Sequence, residues 1–408
     1  MRTTARYAGA VLGAVVTLVA ATPAHADEIG AVIRVSVGTD GTEGDDDSRE
    51  PAISADGRYV VFSSESRLAP ADTNYADDVY LRDTATGTTE LISVGPDGNA
   101  VPYGDSNLPR VSADGRYVAF TSSAAVTAGT TGGTYLRDRG TGTTTRVGPN
   151  SYWFDGPDLS ADGRYVVFTS TSDALPQDRN GSRDVYLWDN LVRSLSVVSI
   201  DPAYPYTTTA GDSESPTISD NGRYIAFRTR SSVLGGSVDG RVVVRDRWAG
   251  TTTPVSAASV DGVGAPAISG DGNWIAYSKN RGEHDSDVLL WERATGTTSV
   301  ASVNTAGRPA SGVSLTPRIS GDGRYVVYYS SSRELVAQTP SAPVSFFLFD
   351  RLTGRNSVAV TPPDDAFYGS ETADISDDGR YVASETESAT LVPGDTNGEF
   401  DVFRTRVS

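Results

Sequence analysis

Carboxylates and aromatic rings are the side chains of this sequence that could do chemistry. It carries 52 acidic residues, 19 tyrosines, 11 phenylalanines and 5 tryptophans, but only two histidines. A metal centre needing several histidines is excluded. Flat rings beside carboxylates suit the apolar faces and hydroxyls of sugars, and equally suit peptide segments with basic side chains. These residues gather in a few segments. Asp40, Glu43, Asp45, Asp46, Asp47 and Glu50 form one, and Tyr103 with Asp105 another. Asp155 follows Trp153, Asp212 and Glu214 follow Tyr204 and Tyr206, and Asp365 precedes Phe367 and Tyr368. Trp153, Tyr204, Tyr206, Asp365, Phe367 and Tyr368 make up the candidate ligand-binding set. The competing reading is that such rings pack long loops onto a scaffold.

A second pattern occurs three times. Asp72-Thr73-Asn74, Asp178-Arg179-Asn180-Gly181 and Asp395-Thr396-Asn397-Gly398 are each followed by an aspartate that opens a strand, Asp78, Asp184 or Asp401. Oxygen ligands at alternate positions, then glycine, then a carboxylate resemble a shortened calcium loop. Calcium is therefore the one cofactor the sequence suggests. Tyr75 replaces the glycine of the first copy, and an Asx turn launching the strand accounts for the same residues.

Catalytic constellations are sparse. His284, between Glu283 and Asp285, is the only imidazole beyond His25. A loop histidine is ordinarily solvated rather than part of a serine–histidine–acid arrangement. Gly104-Asp105-Ser106 and Gly211-Asp212-Ser213 look like nucleophile motifs, but both fall in one register just before a strand. Paired carboxylates for glycoside cleavage stay open, because acids are abundant and spacing in sequence does not give their separation.

The elements that position these residues repeat. Ser54-Ala55-Asp56-Gly57-Arg58-Tyr59 recurs with the same residue types from Ser112 and Ser160, and in looser form from Ser219, Ser269, Ser320 and Ser376. The glycines lie 58, 48, 59, 50, 51 and 56 residues apart. Between them lie short β-branched and aromatic runs, four to a unit, with no helical stripe. Such a period predicts an all-β, seven-bladed β-propeller of four-stranded blades. The Asp-Gly turn joins strands one and two, and a second turn, as in Ala85-Thr86-Gly87-Thr88, joins strands three and four. Both turns fall at one end of the propeller. The loops between strands two and three and between blades fall at the other, where they differ from unit to unit as ligand-binding loops do.

The chain ends suggest how the ring closes. The seventh unit stops after a third strand at Asp401–Arg406, whereas Ala31–Val37 followed by Gly38-Thr39-Asp40-Gly41 matches the fourth strand and exit loop at Leu91–Gly98. The N-terminal strand is predicted to complete blade seven, removing an exposed edge. The inner strands share a Pro-x-aliphatic-Ser core. Arg110 and Asp158 occupy x on consecutive blades, as do Arg318 and Asp374, which predicts two inter-blade ion pairs near the axis; the alternative is a charged channel wall.

Residues 1–26 read as a secretory signal peptide. Arg2 and Arg6 precede an apolar run from Ala8 to Ala21, too short to span a bilayer, and Ala24-His25-Ala26 offers a cleavage point after Ala26. Residues 27–408 then form a single domain, exported, monomeric and free of membrane insertion. With no cysteine, no disulfide supports it. Loss of the two leader arginines takes the net charge from −18 to −20, which argues against nucleic acid as a partner.

The unit Ser-Ala-Asp-Gly-Arg-Tyr-Val-Val/Ala-Phe, preceded by Pro-x-Ile-Ser, resembles the TolB-like (WD-like) β-propeller repeats, in secreted bacterial form. Ala, Asp or Gly stands where that family's turn usually has proline, and TolB's amino-terminal domain has no counterpart here. The resemblance implies the propeller over nearly the whole mature chain. Together these features predict a secreted, non-catalytic binding propeller whose partner is an extracellular protein, peptide or glycan on the variable-loop face. The alternative is a propeller polysaccharide lyase or glycosidase using carboxylates on that face.

Overall fold

The computed structural model describes residues 28–130, 132–149, 155–172, 174–176, 178–201, 210–236, 239–257, 262–282, 284–338, 340, 342–361 and 372–408. The expected leader, and the six candidate ligand-binding residues Trp153, Tyr204, Tyr206, Asp365, Phe367 and Tyr368, lie outside the described residues.

Each blade grows from a turn that closes on its own side chains. Ser54 Oγ donates to Asp56 Oδ1 (2.9 Å), the Arg58 amide donates to the same oxygen (3.0 Å), and the Tyr59 amide donates to Ser54 Oγ (2.9 Å). The serine-to-Asp/Asn bond recurs at Ser112, Ser160, Ser219, Ser269, Ser320 and Ser376. Side-chain oxygens thus satisfy the turn's backbone amides before any tertiary contact forms.

The turns launch seven four-stranded antiparallel sheets. The first contains Ser48–Ile53, Tyr59–Ser64, Asp78–Asp83 and Thr88–Leu91 from the axis outward. The last contains Ala373–Ile375, Tyr381–Thr386 and Asp401–Arg406, and its fourth strand is the N-terminal Val32–Arg34, with Ile33 opposite Arg404 and Arg34 opposite Phe403. The ring closes as expected. Second strands such as Tyr59–Ser64 are buried at five of six positions, because both faces of each blade are covered by neighbours. At the junction of the last and first blades Val35, Val60, Phe62, Tyr80, Ala383 and Val402 share one core. No helix among the described residues is long and apolar enough to cross a membrane.

Adjacent blades interlock at the turn end. A Cβ built on Gly115 would fall 2.2 Å from the Tyr59 ring of the preceding blade; Gly163 meets Tyr117 and Gly222 meets Tyr165 at 2.2 Å, and Gly57 meets Tyr381 across the closure at 2.2 Å. Each ring therefore occupies the space a side chain would need. Arginines hold the rings from outside. Arg139 lies 5.2 Å from the Tyr59 centroid and donates to the Gly115 carbonyl (2.6 Å), and Arg293 lies 4.1 Å from Tyr224 and donates to the Gly272 carbonyl (2.9 Å). Such cation–π contacts contribute about 0.5–1 kcal/mol each at exposed sites.

Two glycine substitutions separate this contact from the turn conformation. Gly115→Ala should cost about 1–2 kcal/mol for the left-handed backbone and about 1–3 kcal/mol more for overpacking against Tyr59. Gly87, with a φ of 70° against 73° at Gly115, meets nothing nearer than 3.7 Å, so Gly87→Ala should show only the backbone cost. Urea unfolding of both variants is the measurement; equal losses would mean that the ring contact does not hold the blades together.

Candidate binding site at the mouth of the central channel

The site begins with prolines in the inner strands. Proline cannot donate to a ladder, and here its side of the strand faces the channel, where no ladder exists. In four blades the register slips at this point, between Arg49 and Ala52, Asn107 and Arg110, Glu214 and Thr217, and Leu315 and Arg318. In each case one strand residue faces two, as in a β-bulge. The residue before the proline takes positive φ: 60° at Glu50, 53° at Leu108, 53° at Ser215 and 49° at Thr316. Non-glycine residues held this way cost about 1–3 kcal/mol each and cluster at functional sites.

The bulges turn backbone amides toward carboxylates of the preceding blade. Glu385 accepts from the amides of Glu50 and Thr372, the latter at 3.1 Å. Glu50 in turn accepts from the Leu108 amide at 2.6 Å, and Asp155 accepts from Ser215 Oγ at 2.8 Å. These groups rim a cavity of about 300 Å³, also lined by Arg49, Arg110, Ala265 and Arg318. Because the start of every inner strand lies here, this is the variable-loop end. Burial pushes the Glu385 carboxyl up to about 8, with the Glu50 charge adding to the effect, and burial also raises Glu50.

The other end of the channel is narrow. At five junctions the turn residue after the serine donates to its counterpart on the next blade, as in Ala113 N to Ala161 O (3.0 Å), Asp220 N to Gly270 O (2.9 Å) and Gly270 N to Gly321 O (2.9 Å). Here the cavity falls to about 130 Å³. A proline, usual at this position in the resembling repeats, has no N–H to give. That is a physical reason for the Ala, Asp and Gly found instead.

The ion pairs expected near the axis do not form. Asp158 accepts from the Ile218 amide (2.9 Å) and Thr217 Oγ1 (2.8 Å), and Asp374 accepts from the Ile53 amide (3.0 Å). Both aspartates bond forward to the next blade's backbone instead of back to the arginines. Neither Arg110 nor Arg318 has a carboxylate oxygen within 4.0 Å among the described residues. The channel wall is charged but not neutralised pair by pair.

The three Asp-x-Asn segments are brought to the same blade end but not to the channel. In blade one Asp72 accepts from the Asn74 amide (3.1 Å) and the Tyr80 hydroxyl, while Asp78 accepts from Asn74 Nδ2 (2.9 Å) and Ser93 Oγ. Blade three repeats this, with Tyr186 on Asp178 and Asn180 Nδ2 on Asp184 at 2.9 Å. Blade seven has Phe403 where the others have tyrosine. There the Arg34 guanidinium enters instead, bonded to Glu43, 3.1 Å from Asp401 and 3.5 Å from Asp395, whose side chain is 2% exposed. Asn397 donates to the Gly44 carbonyl at 3.2 Å. Calcium at Asp72, Asn74 and Asp78 would have to displace four internal donors, and at Asp395 and Asp401 it would compete with Arg34. The donor set fits closed Asx turns better than a cation cage.

Other sequence signals resolve simply. Ser106 bonds Ser122 and Ser213 bonds Thr229, both at 2.9 Å and buried, so the two nucleophile-like motifs are strand starts. His284 is exposed at the tip of the hairpin between Trp274–Gly282 and Asp285–Glu292, and does not line the channel. Asp46 is exposed, and Tyr103 is 86% exposed. Glu385 was not marked by the sequence; the proline inside a strand pattern was the available signal for a bulge beside it.

No family and no curated protein matches the sequence, but solved structures do. TolB from Acinetobacter baumannii matches with a TM-score of 0.45 and 17% identity, over 69% of this chain and 58% of that one. An oligogalacturonate lyase in complex with manganese matches with a TM-score of 0.59 and 13% identity, over 93% of both chains. A prolyl endopeptidase matches with a TM-score of 0.57 and 14% identity, over 89% of this chain but 48% of its own. At such identities the likeness is one of fold, and fold alone does not fix activity.

Titration should register in stability. Burial raises Asp77, Asp78, Asp184 and Asp377 to about 7. A carboxyl with a raised folded pKa contributes stability that is full below its unfolded value and is lost as pH climbs through the folded one. Asp83 and Asp138, lowered to about 2 by Arg58 and Arg116, act oppositely and lose theirs in acid. The melting temperature should therefore peak in mild acid and fall between pH 5 and 8, less steeply in Asp77→Asn. A curve flat over that range would refute the assignment.

Calcium offers a separate check on the loops. A ligand that binds only the folded state raises the melting temperature. The internal hydrogen bonds of Asp72 and Asp178, and the Arg34 guanidinium beside Asp395, predict the same melting temperature in excess calcium as in excess chelator. A rise of several degrees that Asp78→Asn abolishes would show that these loops open to take the ion.

Proposed function

We propose that this chain is a secreted, non-catalytic binding propeller that takes an extracellular protein, peptide or glycan over the channel mouth on its variable-loop face. The observation that carries this reading is the inequality of the two ends. One is drawn closed by repeated turn-to-turn bonds, and the other opens into a cavity of about 300 Å³ with polar walls and four strained bulges. Binding sites are concave, preformed and marked by a few converging polar groups, and the mouth combines these properties with a position on the axis where several blades meet. Export rests on the leader-like segment, and a strongly acidic surface suits solubility outside the cell.

A second reading is favoured by one observation. Half-buried Glu50 and buried Glu385 meet at the mouth, and burial together with the Glu50 charge pushes the Glu385 carboxyl up to about 8. A carboxyl still protonated at neutral pH is what general-acid cleavage of a glycosidic bond requires. This would place the lyase or glycosidase alternative at Glu50 and Glu385 rather than at Asp46, Asp365 or His284.

The purified protein, screened against glycan and peptide arrays, separates the two. Binding without product is expected. Ala265→Trp, an exposed lining position, should weaken binding about tenfold or more, roughly 1.4 kcal/mol, without lowering the melting temperature. A ligand held equally by that variant would move the site away from the mouth. Release of reducing or unsaturated sugar, lost in Glu385→Gln, would replace the binding reading with the enzymatic one.

A further inference from the structure

We propose that Arg110 and Arg318 form a carboxylate-binding site inside the central channel, which receives the acid group of the ligand seated at the mouth. The inference rests on the mouth being the binding face and adds the chemical class of what enters it.

Both arginines line the wide and the narrow cavity. They stand on blades two and six, each directly after the proline of a strained bulge, in Leu108-Pro109-Arg110 and Thr316-Pro317-Arg318. Each guanidinium makes one protein hydrogen bond, to the carbonyl of its own preceding proline: 2.8 Å for Arg110 and 3.2 Å for Arg318. A guanidinium carries five N–H donors, so most of each fork is left without a protein acceptor. The two cations also act on each other, since burial first and then the charge of Arg110 lower the pKa of Arg318.

The nearby acids act on the arginines only from a distance: Asp374 and Asp158 act to raise the pKa of Arg318, and Arg110 favours the charged forms of Asp158 and Glu50, but none stands within ion-pair reach of either guanidinium. Asp158, Asp374, Glu50 and Glu385 accept from backbone amides of Ile218, Ile53, Leu108 and Thr372. Those bonds take up carboxylate oxygens that could otherwise reach the forks, while each guanidinium keeps only its own proline carbonyl as a hydrogen-bond partner. Unpaired charges in a confined channel destabilise a fold, and a neutral side chain would relieve that cost. The arrangement makes sense if an anion completes it. The planar fork matches a carboxylate in bidentate fashion. The surrounding aspartates disfavour a doubly charged phosphate more strongly than a singly charged acid.

The test pairs ligands that differ by one charge. Glucuronate and glucose, and trialanine with a free or amidated C-terminus, are titrated by calorimetry and thermal shift into the full chain. Either acid should bind and its neutral counterpart should not; which acid binds better tells a sugar acid from a peptide terminus. Arg110→Gln and Arg318→Gln should each weaken acid binding at least tenfold and, without ligand, melt higher than the parent, as relief of an unpaired charge requires. Inorganic phosphate should bind more weakly than either acid. The proposal is overturned if no acid binds, if phosphate binds more tightly, if the variants bind as the parent does, or if they melt lower, which would make the arginines structural. A neutral array ligand that Ala265→Trp blocks, with no preference for acids, would overturn the arginine site and leave the mouth as the binding face.

Discussion

An aromatic ring from each blade rests on the turn glycine of the next, and the ring of blades depends on that contact. The glycine is needed twice over. Its φ near 70° is open to it without a steric penalty, and its missing side chain makes room for tyrosine or tryptophan. Turn and interface are thus one feature, which is why the motif returns in every blade with so little change. Arginine stacking and the amide-to-carbonyl bonds between turns add to the same end of the molecule. Blade seven supplies Arg404 over Tyr381, bonded to Gly57 O and Thr84 Oγ1. The closure between the last and first blades therefore uses the same chemistry as the other junctions, although the sheet itself is assembled from both chain termini.

Concentrating the interlock at one end leaves the other free to vary. At the turn end, the residue after the serine is Ala, Asp or Gly and at five junctions gives its N–H to the next blade. At the mouth proline recurs but the residues around it differ, and blades are joined instead by carboxylates reaching bulged amides. Those bonds ask only that one acid meet one N–H. Each blade can satisfy them differently, or not at all, without disturbing its neighbours. Strain at Glu50, Leu108, Ser215 and Thr316 is held in place by the cores that neighbouring blades share and by the interlock at the opposite end.

The architecture was legible because its signal is local. Ser-x-Asp-Gly closes on itself, and its spacing counts the blades; the match between Ala31–Val37 and Leu91–Val94 predicted the closure that Val32–Arg34 makes with Asp401–Arg406. The channel was legible only in part. Alternation placed Arg110, Asp158, Arg318 and Asp374 on the axis, but pairing by charge was the wrong rule there. A bulge exposes backbone amides that no residue type announces, and carboxylates close to them bond the amides before they meet a guanidinium. Glu385 was hidden for the same reason: it ends a second strand and looks like an ordinary polar residue until the bulge at Glu50 turns an N–H toward it. The calcium-like loops show the limit of reading ligands from spacing. Their oxygens have the right spacing for a cation, yet Tyr80, Tyr186 and the asparagine amides spend that spacing on internal bonds.

The blade-seven loop shows how the same oxygens respond when a donor is lost. Phe403 cannot bond Asp395 as Tyr80 bonds Asp72, so a buried carboxylate there needs another cationic or donor group. The strand that closes the ring brings Arg34 to that place, beside Glu43, Asp395 and Asp401. Burial still raises Asp395 to about 6, so one guanidinium does not fully offset three acids. Where the channel leaves cations without carboxylates, this loop crowds carboxylates around one cation. The two sites differ because Arg34 is delivered by a strand that must pair with Asp401–Arg406, whereas Arg110 and Arg318 follow prolines whose bulges turn the neighbouring acids toward backbone. Backbone geometry, rather than charge count, decides which ions in this molecule meet.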